Sequence, residues 1–121
     1  MKRILVIDDS GAIRKAIRRI LEGLSYEVTE SEDGLKALDA LAAGPRFDAV
    51  LCDIDMPNMD GLEFLAAVSK RGMPAPPIIM CTTHSSFDKI QAAIALGASE
   101  YIMKPFDATI IAGKLDACGV V

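Results

Sequence analysis

The stretch Ile4-Leu5-Val6-Ile7-Asp8-Asp9-Ser10 decides how the rest of the chain is read. Four apolar residues, mostly β-branched, stop abruptly on two acids. That is the pattern of a short strand covered on both faces and ending at a polar edge. Similar runs recur at Val28 with its neighbours, Ala49–Cys52, Ile78–Cys81 and Tyr101–Met103. Between them the apolar spacing becomes helical: Ile13, Ile17, Ile20, Leu21 and Leu24; Leu35, Leu38 and Leu41; Leu62, Leu65 and Val68; Phe87, Ile90 and Ile94. Asp60-Gly61-Leu62-Glu63 and Ser85-Ser86-Phe87-Asp88 read as capping boxes that open helices three and four. Gly23 and Gly97 fall where helices should stop. A last helix, from about Thr109 to Ala117, is weakened by Gly113, which costs about 1 kcal/mol relative to Ala.

Five strands alternating with five helices predict an α/β fold, a doubly wound parallel five-stranded sheet with right-handed crossovers. The polar run Glu27–Ser31 suits an edge strand. A length of 121 residues fits one domain, 1–121, with a core large enough to fold without metal or disulfide. With 51% apolar and 25% charged residues, a disordered or collagen-like chain is excluded. No apolar run approaches the ~18 residues that span a bilayer, and the opening run is too short for a signal peptide. We therefore expect a cytoplasmic protein without membrane contact. Cys52, Cys81 and Cys118 lack metal-ligand spacing and read as buried free thiols. The net charge of −4 and the lack of an aromatic-interleaved basic stretch argue against nucleic-acid binding. Bases do gather on the first helix as Arg14, Lys15, Arg18 and Arg19, either a solvated face or a patch that steers an acidic partner.

In a parallel sheet, ligands gather at the carboxyl ends of the strands. There the sequence places Asp8 and Asp9 after strand one, Asp53 and Asp55 after strand three, Thr82 after strand four and Lys104 after strand five. Singly, each has an ordinary structural role: a helix cap for Asp9, a loop hydroxyl for Thr82, a solvated turn residue for Lys104. Together they form a pattern. Carboxylates about 5 Å apart repel by about 3 kcal/mol per pair at an effective dielectric near 20, so a proton or a cation must sit among them. All-oxygen donors without His or Cys favour a hard ion, and an open, hydrated site favours Mg²⁺. Asp53 is the candidate nucleophile, since a carboxylate can form an acyl phosphate. Lys104 and Thr82 would then meet the phosphoryl oxygens.

At this point the chain resembles a response-regulator receiver domain of the CheY type. The resemblance rests on ILVIDDS (Ile4–Ser10), LCDIDMPNMDG (Leu51–Gly61), Thr82 and GASEYIMKPF (Gly97–Phe106), and it extends over nearly the whole chain. It implies a flavodoxin-like fold with strand order 2-1-3-4-5. It implies that Asp53 is the phosphoacceptor, and that Asp8, Asp9, Asp53 and the backbone carbonyl of Asp55 bind Mg²⁺. Lys104 would pair with Asp53 or its phosphate, and the Lys104–Pro105 peptide would be cis. Thr82 and Tyr101 would be the switch pair, resetting a face made by helix four, strand five and helix five. Partners would be a sensor histidine kinase or histidine phosphotransfer protein and a downstream protein target. The product is a signalling protein assisting its own phosphorylation and dephosphorylation, not an enzyme, with chemotaxis or a phosphorelay as its setting.

Thr83 stands where the family usually has a small residue, and its bulk is expected to crowd the phosphoryl pocket. Asp55 and His84 flank the acceptor, with His84 read as an exposed loop residue. Two other functions compete. Asp53-Ile54-Asp55 resembles the nucleophile motif of haloacid-dehalogenase-like phosphatases, but there the nucleophile strand comes first and a cap domain follows. A flavodoxin-like cofactor binder shares the fold, yet Asp8-Asp9-Ser10 would repel a flavin phosphate. A stand-alone regulator is expected over a receiver cut from a longer one.

Overall fold

The computed structural model describes residues 2–44, 46–73, 75–82, 87–104 and 106–120, with Phe87 in its backbone only. Thr83, His84, the Ser85–Ser86 half of the second capping box, and the Lys104–Pro105 peptide lie outside the described residues. The chain alternates strictly: β1 (Arg3–Ile7), α1 (Gly11–Gly23), β2 (Glu27–Ser31), α2 (Gly34–Ala43), β3 (Ala49–Asp53), α3 (Gly61–Lys70), β4 (Ile78–Thr82), α4 (Phe87–Ala95), β5 (Glu100–Met103) and α5 (Ala108–Ala117). All strands are parallel, in the order β2-β1-β3-β4-β5, as the resemblance implied.

Alternation along the central strands divides the core into two. Ile4, Val6, Ala49, Leu51, Ile79 and Cys81 pack with Ile17 and Leu21 of α1 and Ile111 and Leu115 of α5. Leu5, Ile7, Val50, Cys52, Ile78 and Met80 face the other way, onto Ala37 and Leu38 of α2, Phe64, Leu65 and Val68 of α3, and Ala93 of α4. Both faces being covered explains why these strands read as unbroken apolar runs. β2, covered on its inner side by only one neighbour strand, alternates in exposure and is the edge that its polar residues suggested.

The helix starts follow from short polar caps. Ser10, Asp33, Asp60 and Asp107 each accept a bond from the third amide ahead, and Asp60 with Glu63 completes the expected capping box. Gly23 ends α1 and Gly97 lies just beyond α4, as expected; the left-handed residues of the two turns are Ser25 at φ 70° and Gly97 at φ 108°. The last helix differs slightly from expectation. α5 begins earlier than Thr109 because Asp107 caps it, and it runs through Gly113 because Ile111 and Leu115 anchor it in the core. Cys52 and Cys81 are buried free thiols, pushed up by burial, Cys81 to about 12; Cys118 is only half-buried.

Candidate functional site

The carboxyl ends of β1, β3, β4 and β5 meet at one edge, and the expected polar cluster assembles there. Asp53 is the last residue of β3, with 12% of its side chain exposed. Its position is fixed from below. Ile54 donates its amide to the Cys81 carbonyl at 3.3 Å, and Gly61 donates to the Ile54 carbonyl at 2.8 Å. Gly61 has to be glycine: a Cβ there would stand 2.4 Å from the Asp53 carbonyl oxygen and 2.9 Å from Ile54 Cα. The chain returns against its own strand end only without a side chain.

Asp8 is 2% exposed. Its amide donates to the Ser31 carbonyl of β2, and its Oδ1 accepts the Ser10 amide at 2.9 Å. Its other oxygen accepts from Lys104 Nζ at 3.0 Å. Asp9 does not cap α1. Ser10 Oγ does, at 3.3 Å from the Ile13 amide, and Asp9 is left exposed at the rim. One carboxylate oxygen from each of Asp8, Asp9 and Asp53 lies within 4.8 Å of the other two.

Lys104, 10% exposed, follows β5, and its amide donates to the Thr82 carbonyl at 2.8 Å. Its ammonium stands 3.6 Å from Asp53 Oδ1, farther than from Asp8. The expected Lys104–Asp53 pair is therefore present, but Asp8 takes the hydrogen bond. Burial opposes the charge on Lys104, yet the Asp8 bond and the Asp53 charge outweigh it and hold its pKa above the ordinary lysine value. Burial is also the main influence on Asp53; with repulsion from Asp8 and Asp9 it overcomes the attraction of Lys104 and lifts the carboxyl to about 6.

Thr82 closes β4 beside Asp53 and is 2% exposed. Asp55 sits beyond the cluster with an exposed side chain paired to Lys89 of α4 at 2.8 Å. Tyr101 lies back along β5, outside the acidic cluster and 37% exposed. Lys114 of α5 covers its ring, 5.1 Å from the centroid, and also binds Glu100 at 3.0 Å.

Three of the four bases on α1 are tied to β2. Arg14, Lys15 and Arg18 all converge on Glu30 of β2, at 3.0, 3.3 and 2.7 Å. Arg14 also donates to the Asp8 main-chain carbonyl at 2.6 Å, bracing the loop after β1. Sequence reasoning passed over Glu30. The available signal was its place in the i, i+2 alternation of β2, which sets one lone carboxylate beside the helix with the bases.

The donor set fits a divalent ion. Three carboxylates offer only hard oxygen ligands, and among the described residues no His or Cys joins the cluster. Neighbouring oxygens on one Mg²⁺ are about 3 Å apart and opposite ones about 4 Å, so a spread within 4.8 Å would have to close by an ångström or so around the ion, and retained waters can fill the remaining positions.

Comparison with known proteins gives a consistent result. The family model for the response regulator receiver domain matches residues 4–116. Response regulators MprA from two Mycobacterium strains, KMS and JLS, are 41% identical over 104 residues, covering 86% of this chain and 44% of theirs. The chain thus spans less than half the length of these curated relatives. The structure of Vibrio cholerae chemotaxis protein CheY4 superposes with a TM-score of 0.88 at 36% identity, over 96% of this chain and 97% of that one. Thermotoga maritima response regulator TrrA, in complex with Mg²⁺–BeF, gives 0.85 at 34% identity, over 98% and 99%.

Proposed function

Because this chain belongs to the response regulator receiver domains of two-component signalling, we propose that it accepts a phosphoryl group on Asp53 from a phosphohistidine donor and hands the signal on through a changed surface. The observation that carries this reading is the convergence of Asp8, Asp9 and Asp53 within 4.8 Å, with Lys104 between Asp8 and Asp53. The Mg²⁺–BeF complex of TrrA, a similar protein, supports a divalent ion here as well.

A carboxyl with a pKa of about 6 is about nine-tenths ionised at pH 7, and is thus a competent nucleophile. One Asp53 oxygen attacks phosphorus in line, the P–O bond forms, and the P–N bond to the donor imidazole breaks. Mg²⁺ held by Asp8, Asp9, Asp53 and the Asp55 carbonyl would neutralise the phosphoryl oxygens as they approach a negative site. Lys104 supplies the fixed cation, and the Thr82 hydroxyl a hydrogen bond to the new phosphoryl group. Hydrolysis of the acyl phosphate, assisted by the same groups, resets the protein. Thr82 and Tyr101 couple the bond to the α4–β5–α5 face, shifting a two-state equilibrium there. A histidine kinase or phosphotransfer protein is the donor, and a downstream protein the reader. The chain acts as one receiver unit in the cytoplasm, in a phosphorelay or, as its likeness to CheY4 favours, in chemotaxis.

The test is incubation with acetyl phosphate, with and without Mg²⁺, read by intact mass. The mass of one phosphoryl group should appear only with Mg²⁺, and not in Asp53→Asn. Equal labelling of that variant would overturn the proposal.

A further inference from the structure

Among the described residues the buried polar side chains are Asp8, Ser31, Asp33, Asp53 and Thr82. Asp8, Asp53 and Thr82 belong to the site, and the Ser31 carbonyl holds the Asp8 amide. Asp33 is left, at 5% exposure, without a part in the chemistry. Its Oδ1 caps α2 by accepting the Lys36 amide at 2.9 Å. A cap uses one oxygen, which a serine would supply. The second oxygen reaches across the fold and accepts from Asn58 Nδ2 at 3.1 Å. The Lys36 amide first, and then the Asn58 bond, outweigh burial and hold the Asp33 carboxyl below its ordinary range.

Asn58 lies in the loop that leads from Asp53 through Asp55 to α3. Its φ of 66° is a left-handed conformation that asparagine tolerates. Beside it, the Gly34 amide donates to the Met59 carbonyl at 3.3 Å, and a Cβ on Gly34 would stand 2.7 Å from Met59 Cγ. At the far end the Gly61–Ile54 bond ties the loop to the end of β3. The loop is thus fastened twice, at its base to its own strand and through Asn58 and Met59 to the start of α2.

We propose that Asp33 and Asn58 are positioning residues, a clamp that holds the loop after Asp53 in the conformation that presents the Asp55 main-chain carbonyl to the divalent ion. This rests on the reading of the site given above. The clamp itself can be tested without metal. Asn58→Gly keeps the left-handed backbone, removes the amide and leaves the charge unchanged. Asp33→Ser keeps a cap oxygen and removes the second acceptor.

Mg²⁺ affinity is measured by amide NMR titration of the full chain without phosphodonor, and hydrogen exchange of the Gly34 amide is measured in chelator. Each variant should bind Mg²⁺ about tenfold more weakly, the lower end of what loss of a ligand's supporting partner costs. The double variant should be no weaker than the singles, since they break one bond. The exchanged pair Asp33→Asn with Asn58→Asp restores a donor and an acceptor and should recover most of the affinity. Gly34 exchange should quicken in both single variants. Wild-type Mg²⁺ affinity in Asn58→Gly, or losses that add in the double variant, would overturn the proposal. Unchanged Gly34 exchange would refute the clamp even in the absence of metal. Failure of the unaltered chain to bind Mg²⁺ while Gly34 exchange still quickens would sink the reading of the site instead.

Discussion

Replacing Asp53 by Asn should stabilise the metal-free protein at neutral pH. The folded state lifts the Asp53 carboxyl from an ordinary 3.8 to about 6, burial being the chief cause. An acid whose pKa rises on folding is ionised at a cost to the folded state. That cost is absent below pH 4, grows as pH rises through 4 to 6, and is complete above 6. At about 1.4 kcal/mol per pKa unit the rise is worth about 3 kcal/mol. Only 12% of the side chain is exposed, so little of this is screened away. Asn keeps the shape and removes the charge, while Lys104 retains Asp8 at 3.0 Å. Urea denaturation in chelator at pH 7.5 and pH 4.5 reads the difference between the two proteins. Other carboxylates, such as Glu30 and Glu100 with their lowered pKa values, act alike in both and cancel. The expected gain for Asp53→Asn is about 2–3 kcal/mol at pH 7.5, shrinking to about 1 kcal/mol at pH 4.5. Adding Mg²⁺ should raise the stability of the wild type and not of the variant. Equal stability at pH 7.5 in chelator would refute the reasoning.

Lys104→Met removes the cation beside Asp8 and Asp53; labelling by acetyl phosphate at saturating Mg²⁺ should slow at least about a hundredfold, as loss of a single charge-stabilising donor does elsewhere, and a rate within a factor of three contradicts the role given to Lys104. Gly61→Ala forces a methyl group against the Asp53 carbonyl at 2.4 Å and should lower stability by about 2–3 kcal/mol by denaturant titration; an unshifted midpoint would count against the close approach. Arg19→Glu, on the exposed side of α1, should slow transfer from a protein phosphodonor while leaving acetyl phosphate labelling unchanged. Arg18→Glu should in addition lower stability, because Arg18 meets Glu30 at 2.7 Å; equal stability of the two variants would argue against the Glu30 hub.

The parallel sheet was legible because burial on both faces leaves unbroken apolar runs, and β2 stood out as the edge because Glu27 and Glu30 interrupt its run. The strand-end acids could be placed by counting residues from those runs. Pairwise geometry could not. Nothing in Asp8-Asp9-Ser10 says that Ser10 takes the cap and frees Asp9, since either side chain can perform it. Nor does the sequence rank Asp8 over Asp53 as the nearer partner of Lys104. The alternation of β2 could put Glu30 on the side of α1, but that Arg14, Lys15 and Arg18 all reach it depends on how α1 crosses β2, a tertiary relation beyond local spacing. The Asp33–Asn58 bond spans 25 residues and was hidden for the same reason.

The central claim is that the Asp53 carboxylate takes a phosphoryl group beside a divalent ion held by Asp8 and Asp9. Its most direct measurement is a crystal structure of the chain grown with Mg²⁺ and beryllofluoride. We expect beryllium bonded to an Asp53 oxygen, Mg²⁺ in contact with the Asp8–Asp9 carboxylates, and Lys104 Nζ turned to a fluoride. Beryllofluoride on another carboxylate, or Asp53 bare while Mg²⁺ binds elsewhere, would contradict the account.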